Sequence, residues 1–226
     1  MPSLTPLLPR EVDGYLVELV KAQFADQVLT EMEIRADQYG FPIVGRAVGR
    51  FLELQARAIG AKRVVELGSG FGYSAYFFAG AVGDDGEVVC TDTDPDNARL
   101  AEAYLRRAGR WAPVRYHVGD ALEGLADVGG ELDVVYCDID KDGYPDAWAA
   151  AADRLRVGGL FLCDNVLWDG RVAGLVPEGE PPERAAARAA VTDDIVAMSR
   201  EIASDPRYIS SVAPIRDGVL VALRVA

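Results

Sequence analysis

Histidine and cysteine, the residues from which zinc sites and disulfide frameworks are built, are nearly absent. The 226-residue chain has one histidine, His117, and three cysteines. Cys90, Cys137 and Cys163 are odd in number and each lies in an apolar strand-like run, so they are expected as buried reduced thiols. His117 falls in a strand-like run and is expected to be structural or at the surface; no Cys/His cluster has zinc-ligand spacing. Basic residues are outnumbered, 23 against 36 acidic, for a net charge of −13. Such a surface repels phosphate backbones, which argues against a nucleic-acid partner and reads as a solubility device. No run approaches the ~18 apolar residues a membrane span needs, so no membrane association is expected. The opening MPSLTPLLPR lacks a charged start followed by an apolar core, so no secretory signal is expected, and the chain reads as cytoplasmic.

What is present is alternation. Strand-like runs at Arg63–Leu67, Glu87–Thr91, Val114–Val118, Leu132–Asp138 and Gly159–Asp164 are separated by helical patterns at Tyr73–Val82, Pro95–Ala108, Ala121–Val128 and Tyr144–Leu155. Near-continuous apolar strands alternating with helices predict a doubly wound α/β fold, a parallel sheet covered on both faces. Breaks at Gly83–Gly86, Gly129–Gly130 and Gly158–Gly159 agree with it. At the end, Arg207–Val212 and Val219–Val225 are joined by a connection too short for a helical crossover, which predicts an antiparallel hairpin. Two helical stripes precede the sheet, within about residues 10–60: Val12, Tyr15, Leu16, Leu19, Val20 and Phe24, then Val44, Val48, Phe51, Leu52 and Ile59. They read as core or interface packing. The length fits one domain, residues 1–226. Residues 176–188, rich in Pro, Glu, Ala and Arg, read as an exposed loop running into a helix.

Two places carry chemistry. After the first strand, Glu66-Leu67-Gly68-Ser69-Gly70-Phe71-Gly72-Tyr73-Ser74 makes a tight glycine turn into a helix start, where backbone can approach a ligand closely. Glycine spacing alone is shared with dinucleotide sites. Glu66 at the strand end disfavours a pyrophosphate and favours a cationic ligand, and Asp92, closing the second strand, can hold the ribose hydroxyls of a nucleoside. Further on, Asp138-Ile139-Asp140-Lys141 ends the fourth strand and Asp164-Asn165 ends the fifth. In a parallel sheet these ends converge on one crevice, and two carboxylates with an amide oxygen suit Mg²⁺, Mn²⁺ or Ca²⁺.

The E-x-G-x-x-x-G-x-S loop with its following acid resembles motif I of class I S-adenosylmethionine-dependent methyltransferases, whose Rossmann-like fold has a mostly parallel seven-stranded sheet ending in an antiparallel strand. The patterns D-x-D-K-x-x-Y and D-N-x-L-W-x-G narrow the resemblance to the cation-dependent caffeoyl-CoA and catechol O-methyltransferases, over roughly residues 30–226. The resemblance implies methyl-donor contacts from Val44, Glu66, Gly68, Ser69, Ser74, Asp92, Ala121, Asp138 and Asp140. It implies a metal held by Asp138, Asp164 and Asn165, with Mg²⁺ first in line, Lys141 as general base, and acceptor contacts from Trp168 and Asp169. It also implies a homodimer, although the N-terminal stripes pack equally well within one subunit.

The chemistry fits those parts. A phenol titrates near about 10 and is a weak nucleophile at neutral pH. Chelation of two adjacent oxygens by a cation acidifies one hydroxyl, Lys141 can accept its proton if its own pKa is depressed near the metal, and the oxygen attacks the methyl in line. The expected acceptor is thus a small vicinal-dihydroxy aromatic. Three departures stand out. Ile139 and Asp140 replace the aromatic pair of catechol-type members, Asp169 stands where plant members have a substrate-contacting asparagine, and Pro42-Ile43-Val44-Gly45 replaces a hydroxyl-bearing donor segment. Competing readings are a metal-independent N- or carboxyl-methyltransferase, a dinucleotide-dependent dehydrogenase and a non-catalytic donor-binding protein.

Overall fold

The computed structural model describes residues 10–23, 25–176 and 179–226. Phe24 of the first expected stripe, and Pro177 and Glu178 of the expected loop, lie outside the described residues. Seven strands form one sheet: β1 (Arg63–Leu67), β2 (Glu87–Asp92), β3 (Val114–Val118), β4 (Leu132–Cys137), β5 (Leu155–Cys163), β6 (Tyr208–Ala213) and β7 (Val219–Arg224). Their order is β3-β2-β1-β4-β5-β7-β6. The first five run parallel, and the β6–β7 hairpin joins antiparallel through β7, as its short connection requires. The strand order reverses between β1 and β4. Loops leaving those two strands therefore part in opposite directions and open a crevice beyond their carboxyl ends.

Three helices precede the sheet, α1 (Arg10–Gln23), α2 (Gln27–Tyr39) and α3 (Gly45–Ala58); α4 (Tyr73–Val82), α5 (Pro95–Arg107), α6 (Ala121–Asp127), α7 (Tyr144–Ala152) and α8 (Pro182–Ser204) follow. Strand periodicity divides the core. Val64, Val134 and Tyr136 face one way, onto Leu29, Val48 and Phe77. Their neighbours Val65, Val135 and Cys137 face the other, onto Leu125, Trp148 and Met198. A Cβ on Gly49 would collide with the Phe77 ring, so this glycine sets how closely α3 approaches α4. On the opposite face Trp148 meets Phe161 and Tyr208 edge-on, with centroids 5.2 and 4.8 Å apart.

Three features differ from the sequence expectation. Helix α2 was not anticipated; Asp26 caps it by accepting from Leu29 N–H at 2.9 Å, and Gly40 ends it in a left-handed conformation at φ +62°. Strand β5 begins at Leu155 and passes through Gly158–Gly159, which had read as a turn. A register shift beside Leu132 and Val134 accommodates them, and a Cβ at Gly159 would lie 2.9–3.2 Å from three carbonyl oxygens. Helix α7 accordingly stops at Ala152. On α1, Val12, Tyr15 and Leu19 stay exposed, while Leu16 and Val20 are half-buried where the helix lies against α3, so the stripe packs only in part within the described subunit. Among the described residues no helix is long and apolar enough to cross a membrane.

Candidate active site

Register brings the expected residues together. Leu67, Cys137 and Cys163 are paired across β1, β4 and β5. The residues one step beyond that row, Gly68, Asp138 and Asp164, therefore stand side by side at the mouth of the crevice. Asp138 N–H donates to Leu67 O at 2.8 Å and Asp164 N–H to Cys137 O at 3.0 Å, which continues the ladder through the turn. Gly68 has φ +82°, and a Cβ there would run into the carbonyl of Asp138. Only glycine lets the β1 loop seat on the β4 end.

The glycine loop is tied to β2. Gly70 N–H donates to Asp92 Oδ2 at 3.0 Å, Gly68 N–H to Thr91 Oγ1 at 3.2 Å, and Thr91 N–H to Ser69 Oγ at 3.1 Å. Tyr116 OH bonds Gly70 O from β3. Ser69 and Ser74 are buried beneath the loop and Glu66 is wholly buried. Burial pushes the Glu66 carboxyl up to about 7, against the pull of the Ser74 and Ser69 hydroxyls and the Cys90 thiol, while the negative charge of Asp138 adds to the rise. Its Oε1 has no hydrogen-bond partner. A buried carboxylate with a free oxygen is a costly group to keep unless a ligand with a positive charge or a hydrogen-bond donor meets it. Ala121 opens α6, whose start is capped by the Asp120 carboxylate through Leu122 N–H and Glu123 N–H. Val44 is buried at the start of α3, and Asp140 is exposed just beyond Asp138.

The second group gathers around Asp138. Lys141 Nζ lies 3.6 Å from Asp138 Oδ1 and donates to Ile139 O at 3.2 Å. It faces the rings of Tyr144 and Trp168 at 5.3 and 5.8 Å. Tyr144 OH donates to Asp164 O at 2.8 Å, so the tyrosine of D-x-D-K-x-x-Y braces the end of β5. Asp164 is buried, and its Oδ1 has no partner. Burial, then the charge of Asp138, raises the Asp164 carboxyl to about 7. Burial raises Asp138 likewise, with Lys141 opposing. Among the described residues no group of three or more His, Cys, Asp or Glu side chains forms a metal cage. The candidate set is two repelling carboxylates, one with a free oxygen, beside Asn165; that all-oxygen donor set fits a hard divalent cation.

Backbone strain marks the turns after β5 and between β6 and β7. The non-glycine residues with positive φ among those described are Asn165, Trp168, Asp169 and Arg216, at 54°, 48°, 54° and 51°. Asp169 pairs with Arg188 of α8 at 3.3 Å, and the Arg188 guanidinium lies 5.2 Å over the Trp168 ring. Trp168 Nε1 and Asp169 Oδ1 are buried without partners.

Sequence reasoning missed Asp217, Arg216 and Arg188. Asp217 is a buried carboxylate that accepts Asp169 N–H at 2.7 Å and so fixes the strained turn. Burial raises it to about 6, with the charge of Asp169 adding to the rise. Strain at Arg216 shows only in the backbone. The one sequence signal was the polar Arg-Asp-Gly between two strand runs, which also fits a plain hairpin turn. All three cysteines are free and buried, as expected.

A family model described as O-methyltransferase matches residues 11–225. The caffeoyl-CoA O-methyltransferase of Pinus taeda is 33% identical over 183 residues, 78% of this chain and 69% of that protein. That of Petroselinum crispum is 30% identical over 184 residues, 79% of this chain and 75% of that protein. Among solved structures, the O-methyltransferase TomG of Streptomyces achromogenes, involved in tomaymycin synthesis and crystallised with S-adenosylmethionine, is 26% identical. It superposes with a TM-score of 0.77, covering 96% of each chain.

Proposed function

Because the chain belongs to the O-methyltransferase family, we propose that it moves a methyl group from S-adenosylmethionine to one hydroxyl of a small vicinal-dihydroxy aromatic, with a divalent cation, Mg²⁺ first, at the strand ends. Membership makes it an S-adenosylmethionine-dependent O-methyltransferase; the cation, the acceptor class and the residue roles are our reading. The observation that carries this reading is the alignment of Gly68, Asp138 and Asp164 at adjacent strand ends, with Glu66 and Asp164 each holding a partnerless buried oxygen.

In this reading Asp92 takes the donor's ribose hydroxyls and Ala121 the base side, while Gly68, Ser69 and the segment at Val44 approach its amino-acid part. Glu66, with Ser74 beside it, meets the donor's positive charge. Asp138, Asp164 and Asn165 would hold the cation, and Asp140 would stand at the donor edge. When bound, the cation supplies Lewis acidity that lowers a hydroxyl's pKa and fixes its direction. Lys141 Nζ, beside Asp138 and facing two aromatic rings, would accept the hydroxyl proton as the neutral amine, a form that a cation held at the neighbouring acids would favour. Trp168 provides an apolar wall against which an aromatic ring can stack, with Asp169 at its edge. Orientation along the line from oxygen to methyl is the larger part of the acceleration.

The exposed apolar stripe of α1 supports a homodimer as the assembly, with a second copy covering Val12, Tyr15 and Leu19. The test of function is a panel of catechol-bearing, monohydroxy, amine-bearing and carboxylate-bearing aromatics, incubated with the donor and Mg²⁺ and read by mass spectrometry. A gain of one methyl on the vicinal diols alone is expected. Methylation of an amine or a carboxylate acceptor instead would return the metal-independent alternative.

A further inference from the structure

The turn between β6 and β7 carries Arg216, which no step above uses. Its backbone is left-handed at φ +51°, a conformation that glycine adopts freely and arginine does not. The exposed side chain reaches across the fold, and Nη1 donates to Ile43 O at 2.7 Å. It lies over Gly45, where φ is +74° and a Cβ would stand 2.8 Å from Nη1. The segment it grips roofs the glycine loop. The Phe41 ring meets Phe71 edge-on at 5.0 Å, and a Cβ on Gly70 would stand 2.9 Å from that ring. Val44, next to the gripped carbonyl, is buried. The turn that bears this positive charge also packs on the loop leaving β5, where Val166 N–H donates to Gly218 O at 3.2 Å and Leu167 N–H to Asp217 O at 2.9 Å, so it lies against the strand end that carries Asp164 and Asn165.

We propose that Arg216 is a positioning residue joining the two halves of the site: it clamps the Ile43–Gly45 segment over the donor crevice and holds positive charge beside the carboxylates that would receive the cation. This rests on reading the crevice as the donor site and the acid pair as the cation site. The clamp and the charge have opposite consequences. Loss of the clamp loosens the donor, because the roofing segment must then be ordered on binding. Loss of the charge tightens a divalent cation, because a competing cation leaves the carboxylates. Arginine suits both roles, since its planar fork can hold a carbonyl while the charge stays near the acids; lysine would keep the charge with a poorer grip.

The test uses the full chain as wild type, R216G and R216K, with calorimetric titration of S-adenosylhomocysteine and, separately, of Mn²⁺. Glycine adopts the left-handed backbone without strain, which offsets the lost bond to Ile43, so R216G should melt close to wild type. R216G is expected to bind S-adenosylhomocysteine about tenfold more weakly and Mn²⁺ about threefold more tightly. R216K should weaken S-adenosylhomocysteine while leaving Mn²⁺ near the wild-type affinity. Affinities of R216G within about twofold of wild type for both ligands, or both weakened together, would overturn the inference and leave the function standing. A wild-type chain that binds neither ligand would overturn both.

Discussion

Glu66→Gln isolates the conflict at the heart of the crevice. Glu66 is wholly buried, and its carboxyl titrates near 7 in the fold against 4.5 for an unperturbed side chain. Keeping it ionised therefore costs the folded state about 3 kcal/mol. Glutamine removes that charge at nearly the same shape, but its amide must find new partners where Oε1 already has none. Setting about 1 kcal/mol against the gain for that amide leaves the ligand-free variant about 2 kcal/mol more stable than wild type at pH 8.5. The folded-state pKa is raised, so the fold binds protons that the unfolded chain has released. Wild-type stability thus falls as pH rises from about 4.5 to about 7, and the full penalty is present above that window. At pH 5.5 the advantage of the variant should shrink to near zero. Urea unfolding followed by tryptophan fluorescence at the two pH values reads this directly. The same variant should bind the donor at least about tenfold more weakly, because a charge-assisted contact is lost. A Glu66→Gln protein no more stable than wild type at pH 8.5, or equally favoured at both pH values, would refute the picture of a buried carboxylate with one unpartnered oxygen.

Three further outcomes follow from the site. Lys141→Met should lower turnover by about a hundredfold or more while leaving S-adenosylhomocysteine affinity unchanged; stopped-assay kinetics with calorimetry would expose an idle lysine as normal turnover. Gly68→Ala forces a side chain into a left-handed backbone and against the Asp138 carbonyl, so stability should fall by about 2–4 kcal/mol, and donor and cation affinity should fall together. A wild-type melting curve for it would mean that the loop does not seat on β4. Asp217→Asn removes the charge that holds the Asp169 turn. It should raise the acceptor KM severalfold with donor affinity constant, and equal losses on both would mark a general structural role.

Much of this was legible because strand, turn and helix announce themselves locally. Strands Arg63–Leu67 and Val114–Val118 and helix Tyr73–Val82 have the bounds their apolar runs predict. The strand-end rule likewise draws Asp138, Asp164 and Asn165 to one crevice from the sequence alone. Helix α2 escaped because only Leu29, Met32 and Ala36 of its thirteen residues are buried, too sparse a stripe beside the polar remainder. Its caps, Asp26 and Gly40, were the readable signal. The Gly158–Gly159 pair misled because a bulge and a turn use the same residues. Arg216, Asp217 and Arg188 reach the site from distant segments, and Arg216 meets Ile43 across 173 positions. No local pattern encodes such a meeting; it comes from the β6–β7 hairpin entering the sheet beside β5.

The most direct test of the central claim is the metal dependence of methyl transfer to a catechol. Protein stripped with excess chelator and assayed with S-adenosylmethionine should give no methylated product by mass spectrometry, and added Mg²⁺ or Mn²⁺ should restore it. Full activity in the continued presence of chelator would contradict the account, leaving Asp138, Asp164 and Asn165 without the role assigned to them.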